Sequence, residues 1–214
     1  MRRTKPILIF LLLLVCCGTA FASFGMRPYV SAWFGASLCH GTAEYMQKYP
    51  GDDSVETPFF RTSYDFGFDA QILEAVISVG KEGAVTFGAG ASYLNVSQSL
   101  AYGRSILKPY SGFGFSADVG YRFNSRFDIG LKYRYLFCSY TGTFANFIVQ
   151  DFEIAPSYAV VTPSALDICV SLPLTLSYKA DAVSLRFGIS VMIAFDTRRA
   201  FGNRPAALDE GGLR

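Results

Sequence analysis

Nine charged residues share one local pattern: Asp65, Asp69, Asp118, Arg122, Asp128, Lys132, Arg134, Asp167 and Arg186. Each stands between apolar neighbours, on the parity of its segment that otherwise holds Gly, Ser and Thr. Five acids against four bases nearly cancel, so the chemistry they suit is ion pairing inside a closed space rather than attraction of a charged partner. The single histidine offers different chemistry. His40 shares a stretch with Asp52, Asp53 and Ser54, the ingredients of a hydrolytic triad. Triads are defined by geometry rather than co-occurrence, and no spacing here fixes one, so the chain is read as non-enzymatic. No metal-ligand cluster and no phosphate-cradling glycine loop is present, and no cofactor is expected. Asn95-Val96-Ser97 fits a glycosylation sequon of a kind frequent by chance.

The elements that position these charges are amphipathic strands. Between Tyr110 and Cys138 one parity holds Phe113, Phe115, Ala117, Val119, Tyr121 and Phe123, then Phe127, Ile129, Leu131, Tyr133, Tyr135 and Phe137. The other holds Gly112, Gly114, Ser116, Asp118, Gly120 and Arg122, then Asp128, Gly130, Lys132 and Arg134. Successive side chains on a strand point to opposite faces, so this is a hairpin with one apolar and one charged face. Pairing Phe123 with Phe127 around Asn124-Ser125-Arg126 sets Arg122 opposite Asp128 and Asp118 opposite Lys132. One register thus makes two opposite-charge pairs.

Five more segments alternate in the same way, around residues 27–38, 62–79, 84–96, 165–178 and 182–195. Trp33 breaks the first pattern by falling on the polar face. The second slips phase near Leu73-Glu74, where a bulge would keep Glu74 off the apolar face. Tight turns at 80–83, 124–126 and 180–181 alternate with long connections at 39–61, 97–109 and 139–164. Each segment has about the length of a tilted membrane-crossing strand, ~9–11 residues. Seven strands leave an odd count. The eighth either hides in 144–161, where Pro156 and Pro163 interfere, or is absent.

Residues 1–22 read as a signal peptide: basic Arg2, Arg3 and Lys5, an apolar run from Ile7 to Cys17, and Ala20-Phe21-Ala22 before the cleavage point. The whole chain has 19 Lys+Arg and 17 Asp+Glu. Three of those bases belong to the signal, and the nearly neutral remainder excludes a nucleic-acid partner. Cys39, Cys138 and Cys169 remain after cleavage, an odd number and no disulfide framework. An exported chain that is 51% hydrophobic with 20 Phe and 13 Tyr must hide its apolar surface. A soluble sandwich has no reason to sort its loops by length, and would carry Lys, Glu and Thr rather than Gly and Ser on its wet face. The apolar stripe is therefore assigned to lipid, and the Gly, Ser and charged stripe to the lumen of a closed sheet. The nine charges become lumen-lining residues. A barrel of this size has an interior that side chains can fill, so a largely plugged lumen is expected. Gly114, on the lumen side, is expected to accept Ser.

The fold class is thus an all-β, antiparallel, up-and-down transmembrane β-barrel of about eight strands over residues 23–195, with an irregular tail at 196–214. With its signal peptide, alternating strands, sorted loops and the strand end Val119-Gly120-Tyr121-Arg122-Phe123, the chain resembles the small bacterial outer-membrane β-barrels, the OmpA transmembrane domain and the OmpW and OmpX families. That resemblance implies eight strands and an outer-membrane location. It also implies outer-membrane lipids and the barrel insertion machinery as partners, and a role in surface interaction or membrane integrity. A narrow conduit for small hydrophobic molecules is the alternative, and a lipid-modifying enzyme a further one. A host or surface ligand would meet the loops 39–61 and 139–164, where Tyr45, Tyr49, Phe59, Phe60, Tyr140, Phe144, Phe147, Phe152 and Tyr158 lie. These aromatics equally suit an interfacial girdle.

Overall fold

The computed structural model describes residues 24–41, 59–79, 83–97, 100–101, 104–105, 109–124, 126–141, 146–162, 165–179 and 182–197. The expected signal peptide, the heart of the first long connection and nearly all of the C-terminal tail lie outside these. Twelve strands are formed among the described residues: β1 (Phe24–Met26), β2 (Tyr29–Gly41), β3 (Phe59–Val79), β4 (Gly83–Val96), β5 (Leu100–Ala101), β6 (Arg104–Ser105), β7 (Tyr110–Arg122), β8 (Phe127–Tyr140), β9 (Asn146–Val161), β10 (Leu166–Ser171), β11 (Leu174–Lys179) and β12 (Ala182–Phe195). Strands β5 and β6 pair with each other as a separate two-stranded sheet. The other ten form one antiparallel sheet that closes on itself, since β3 pairs with both β2 and β4 while β12 pairs with β2.

Counted as walls, the ring has eight. Strand β1 continues β2 below Arg27-Pro28 by pairing with residues 75–77 of β3. Strands β10 and β11 together form one wall, laid between β9 and β12. An even count brings the two ends of the ring together: Phe195 N–H donates to the Pro28 carbonyl at 2.9 Å, and Met26 N–H to Thr197 Oγ1 at 2.9 Å.

The eighth wall is β9, inside the stretch read as a long connection over 139–164. Its alternation is plain in the fold, with Ile148, Phe152, Ile154, Tyr158 and Val160 outside and Val149, Asp151, Glu153 and Ala159 buried. Pro156, taken as an obstacle, is accommodated by the neighbouring wall. Proline has no N–H to give a ladder, so it needs a site where the pairing is interrupted. Pro156 faces the gap between β10 and β11 at Leu172-Pro173, where its carbonyl accepts from Leu172 N–H at 3.1 Å. With β9 as a wall, the turn at 180–181 lies at the same end as the connections after β2, β4 and β8, so tight turns are not confined to one end.

The bulge in β3 lies where the phase slips. Pairing with β4 shifts between Gln71 and Leu73. Ile72 and Leu73 both face out, at 69% and 61% exposure, and Glu74 returns inside.

Candidate functional site: the barrel interior

Alternation along β2, β3, β7, β8, β9 and β12 delivers polar side chains to the axis, where they stack in layers. The central layer is ionic. Arg134 on β8 donates Nε–H and Nη2–H to Asp69 at 2.9 and 2.8 Å, and Nη1–H to Glu153 at 2.7 Å. Lys132 Nζ adds 2.7 Å to Asp69, and Ser92 donates to the same carboxylate at 2.6 Å. Arg186 bridges Asp65 at 2.8 Å and Asp151 at 3.1 Å. Ser37 and Ser63 donate to Asp65, and Ser177 to Asp151. Both guanidinium groups lie over the Trp33 ring, 5.6 Å for Arg134 and 4.6 Å for Arg186. Buried charges are tolerated when each is paired and its remaining lone pairs are hydrogen-bonded, which is the condition met here.

A second ionic layer lies toward the end that holds both termini. Arg27 reaches Glu74 and Asp167 at 3.5 Å each, and Arg122 reaches Asp128 at 3.5 Å and Asp167 at 3.7 Å. Toward the opposite end the interior turns apolar, with Trp33, Leu94, Val96, Leu136, Cys138 and Val149 in one cluster and Tyr110 and Phe147 packed on it. Above them Lys179 Nζ stands over three rings, 5.0 Å from Tyr110, 4.5 Å from Tyr140 and 4.7 Å from Phe147. Cys138 and Cys169 are free, buried thiols, and the side chain of Cys39 lies outside the described residues.

All nine charges singled out in the sequence point to this interior, and every pair of the hairpin register occurs, including Arg122 with Asp128 and Asp118 with Lys132. Only the first of these is an ion pair. Lys132 bends to Asp69, and Asp118 is left accepting from Tyr29 Oη–H at 3.4 Å. Alignment across two strands fixes backbones; in a narrow ring a flexible ammonium chooses among carboxylates on every wall. Sequence reading missed Arg27, Asp151 and Glu153, and used Trp33 and Glu74 only as exceptions. Asp151 and Glu153 were lost with their strand, whose i, i+2 acids between Gln150, Phe152 and Ile154 were the available signal. Of the triad ingredients only the His40 backbone is described, next to the end of β2 and paired with Phe60 and Val183; Asp52, Asp53 and Ser54 lie outside the described residues.

The outer surface is the inverse of the interior. Phe113 and Phe115 are 71% and 69% exposed, and Phe34, Phe66, Phe68, Phe87, Leu131, Phe152, Phe187 and Ile189 continue the belt around the ring. Water makes such a belt an aggregation surface, whereas hydrocarbon solvates it, and only a closed sheet satisfies its backbone there. The chain is a transmembrane β-barrel of the outer-membrane type. No protein-family model matches it, and no curated protein does. Among solved structures it is similar to Neisserial surface protein A, with 15% identity, a TM-score of 0.47 and coverage of 82% of this chain and 99% of that one. It is also similar to Ail, the attachment invasion locus protein of Yersinia pestis, at 10% identity, TM-score 0.39, and 79% and 99% coverage. The outer membrane protease OmpT from Escherichia coli follows at 6% identity, TM-score 0.31, and 83% and 99% coverage.

Proposed function

We propose that this barrel is a non-enzymatic component of the bacterial outer membrane with a closed interior, acting in surface interaction or membrane integrity rather than in solute passage. The observation that supports this is the sequence of layers along the axis. An aqueous route would have to cross the ionic layer around Arg134 and Arg186, then an apolar cluster built on Trp33, Leu94 and Leu136, then the rings beneath Lys179. Each ionic contact there is a buried pair, costly to separate. A conduit for small hydrophobic molecules would have to part the same layers. With transport set aside, function falls to the outer surface and to the connections at the end opposite the termini. Most of 139–164 is the wall β9, so a surface ligand would meet the first connection, within 39–61, together with the shorter connections after β4 and β8 at the same end. Purified barrel in planar bilayers is expected to give no discrete openings. Frequent unitary steps would overturn the reading, and a His40→Ala barrel with an unchanged lipid profile would agree with the absence of lipid chemistry.

A further inference from the structure

Among the described residues the ion pairs leave an interior space between them. It is a polar chamber of about 80 Å³ between the two ionic layers, lined by Tyr29, Ser31, Glu74, Thr86 and Asp118, with Arg27 and Lys132 also at its wall, each turned to a carboxylate of its own. One water needs ~10–15 Å³ on this measure, so the chamber has room for several waters or for an ion with part of its shell. Among the carboxylates that line it, two buried oxygens accept no hydrogen bond, Glu74 Oε2 and Asp118 Oδ1. Glu74 is only 2% exposed, and both residues line the chamber.

Register explains why they converge. Glu74 on β3 pairs with Gly88 on β4, and Gly88 pairs with Asp118 on β7, so the two acids flank one glycine in a single row. A Cβ at Gly88 would stand 2.8 Å from Asp118 Cγ, so the absence of a side chain there is what lets the Asp118 carboxylate lie across the row toward Glu74. The charges around it do not balance. Lys132 and Arg134 are matched by Asp69 and Glu153. Below them, among the described residues, the chamber's Glu74 meets Arg27 and its Asp128 meets Arg122, at 3.5 Å each, which leaves the chamber's Asp118 outside any ion pair. Uncompensated charge in a half-enclosed space, where water screens it only in part, is costly.

We propose that this chamber binds a monovalent alkali cation, Na⁺ or K⁺, held by the free oxygens of Glu74 and Asp118 with the hydroxyls of Tyr29, Ser31 and Thr86 and with water. Hard cations take oxygen ligands of this kind. The donor set suits a single charge better than a double one, because among the described residues no group of three His, Cys, Asp or Glu converges as a metal site.

The test uses the protein purified from membranes in detergent, with unfolding followed as loss of the heat-modifiable gel band. Midpoints are compared in NaCl, KCl and N-methylglucamine chloride at equal ionic strength, the last cation being too large for the chamber. An alkali chloride should raise the midpoint by roughly 2–4 °C over N-methylglucamine. Glu74→Gln with Asp118→Asn should abolish that difference, and Gly88→Ala should reduce it by crowding Asp118. Equal midpoints in all three salts would overturn the proposal, as would neutralisation of the acids by protons alone, which predicts the same equality. A salt difference surviving in the double variant would overturn it too. If that variant fails to fold, ²³Na NMR of the unmodified barrel decides: a broadened line narrowed by added KCl is expected, and an unbroadened line refutes the site.

Discussion

Arg134 touches two carboxylates and lies against the Trp33 ring, so its loss would strand Asp69 and Glu153 in the interior with less cation than acid. Breaking a buried pair from one side costs about 3–5 kcal/mol, because the remaining charge is uncompensated. Arg134→Ala should therefore lower the urea midpoint of the heat-modifiable band sharply. Arg134→Lys should recover only part, since an ammonium cannot bond two carboxylates through a planar fork. Glycines on the inward parity are not equivalent either. Gly114, expected from sequence to admit Ser, has the Tyr135 backbone and Leu136 Cα where a Cβ would go, the latter at 2.9 Å. Gly130 has nothing nearer than the Ala155 carbonyl at 3.9 Å. Ser at 114 should weaken the β7–β8 ladder in the same titration, while Ser at 130 should leave the midpoint nearly unchanged.

For whole strands the governing fact is which face meets lipid. Val119→Arg places a cation on the outer surface of β7, where the cost at mid-depth is ~2–4 kcal/mol. It should impair refolding into vesicles far more than Gly130→Ser, and equal yields would contradict the assignment of faces. The bulge in β3 gives a second expectation. Ile72 is the extra residue between two regular stretches of pairing, so deleting it should restore a continuous ladder with Glu74 still inside and leave the folded band intact. Deleting Val119 from the regular β7 should instead swap its two faces and abolish that band. The hairpin β7–β8, its register and the bulge were legible because period-two alternation has no competing signal there. Strand β9 was not, because its prolines argued against a ladder until the broken wall opposite was visible. The apolar inner cluster was hidden for another reason: Leu94, Leu136 and Val149 sit on the parity elsewhere given to Gly and Ser. Sequence parity tells inside from outside but says nothing of depth along the axis.

At the scale of the molecule, the interior runs from rings through an apolar cluster into two layers of ion pairs, and the exterior is apolar all round. That inversion of the usual globular arrangement is why sequence composition pointed to lipid. It also concentrates specificity inside, since the outer face asks only for apolar bulk. The contact that completes the ring has a further consequence. Ala182–Ala194 pairs with Tyr29–Gly41, the last wall with the first. A chain delivered amino end first must hold one flank of its opening strand bare until nearly all the rest has arrived, and a bare flank invites pairing with another copy. Delivery stalled short of residue 182 would thus leave a ribbon prone to stacking rather than a narrower cylinder, so closure is a late event of high loop-entropy cost.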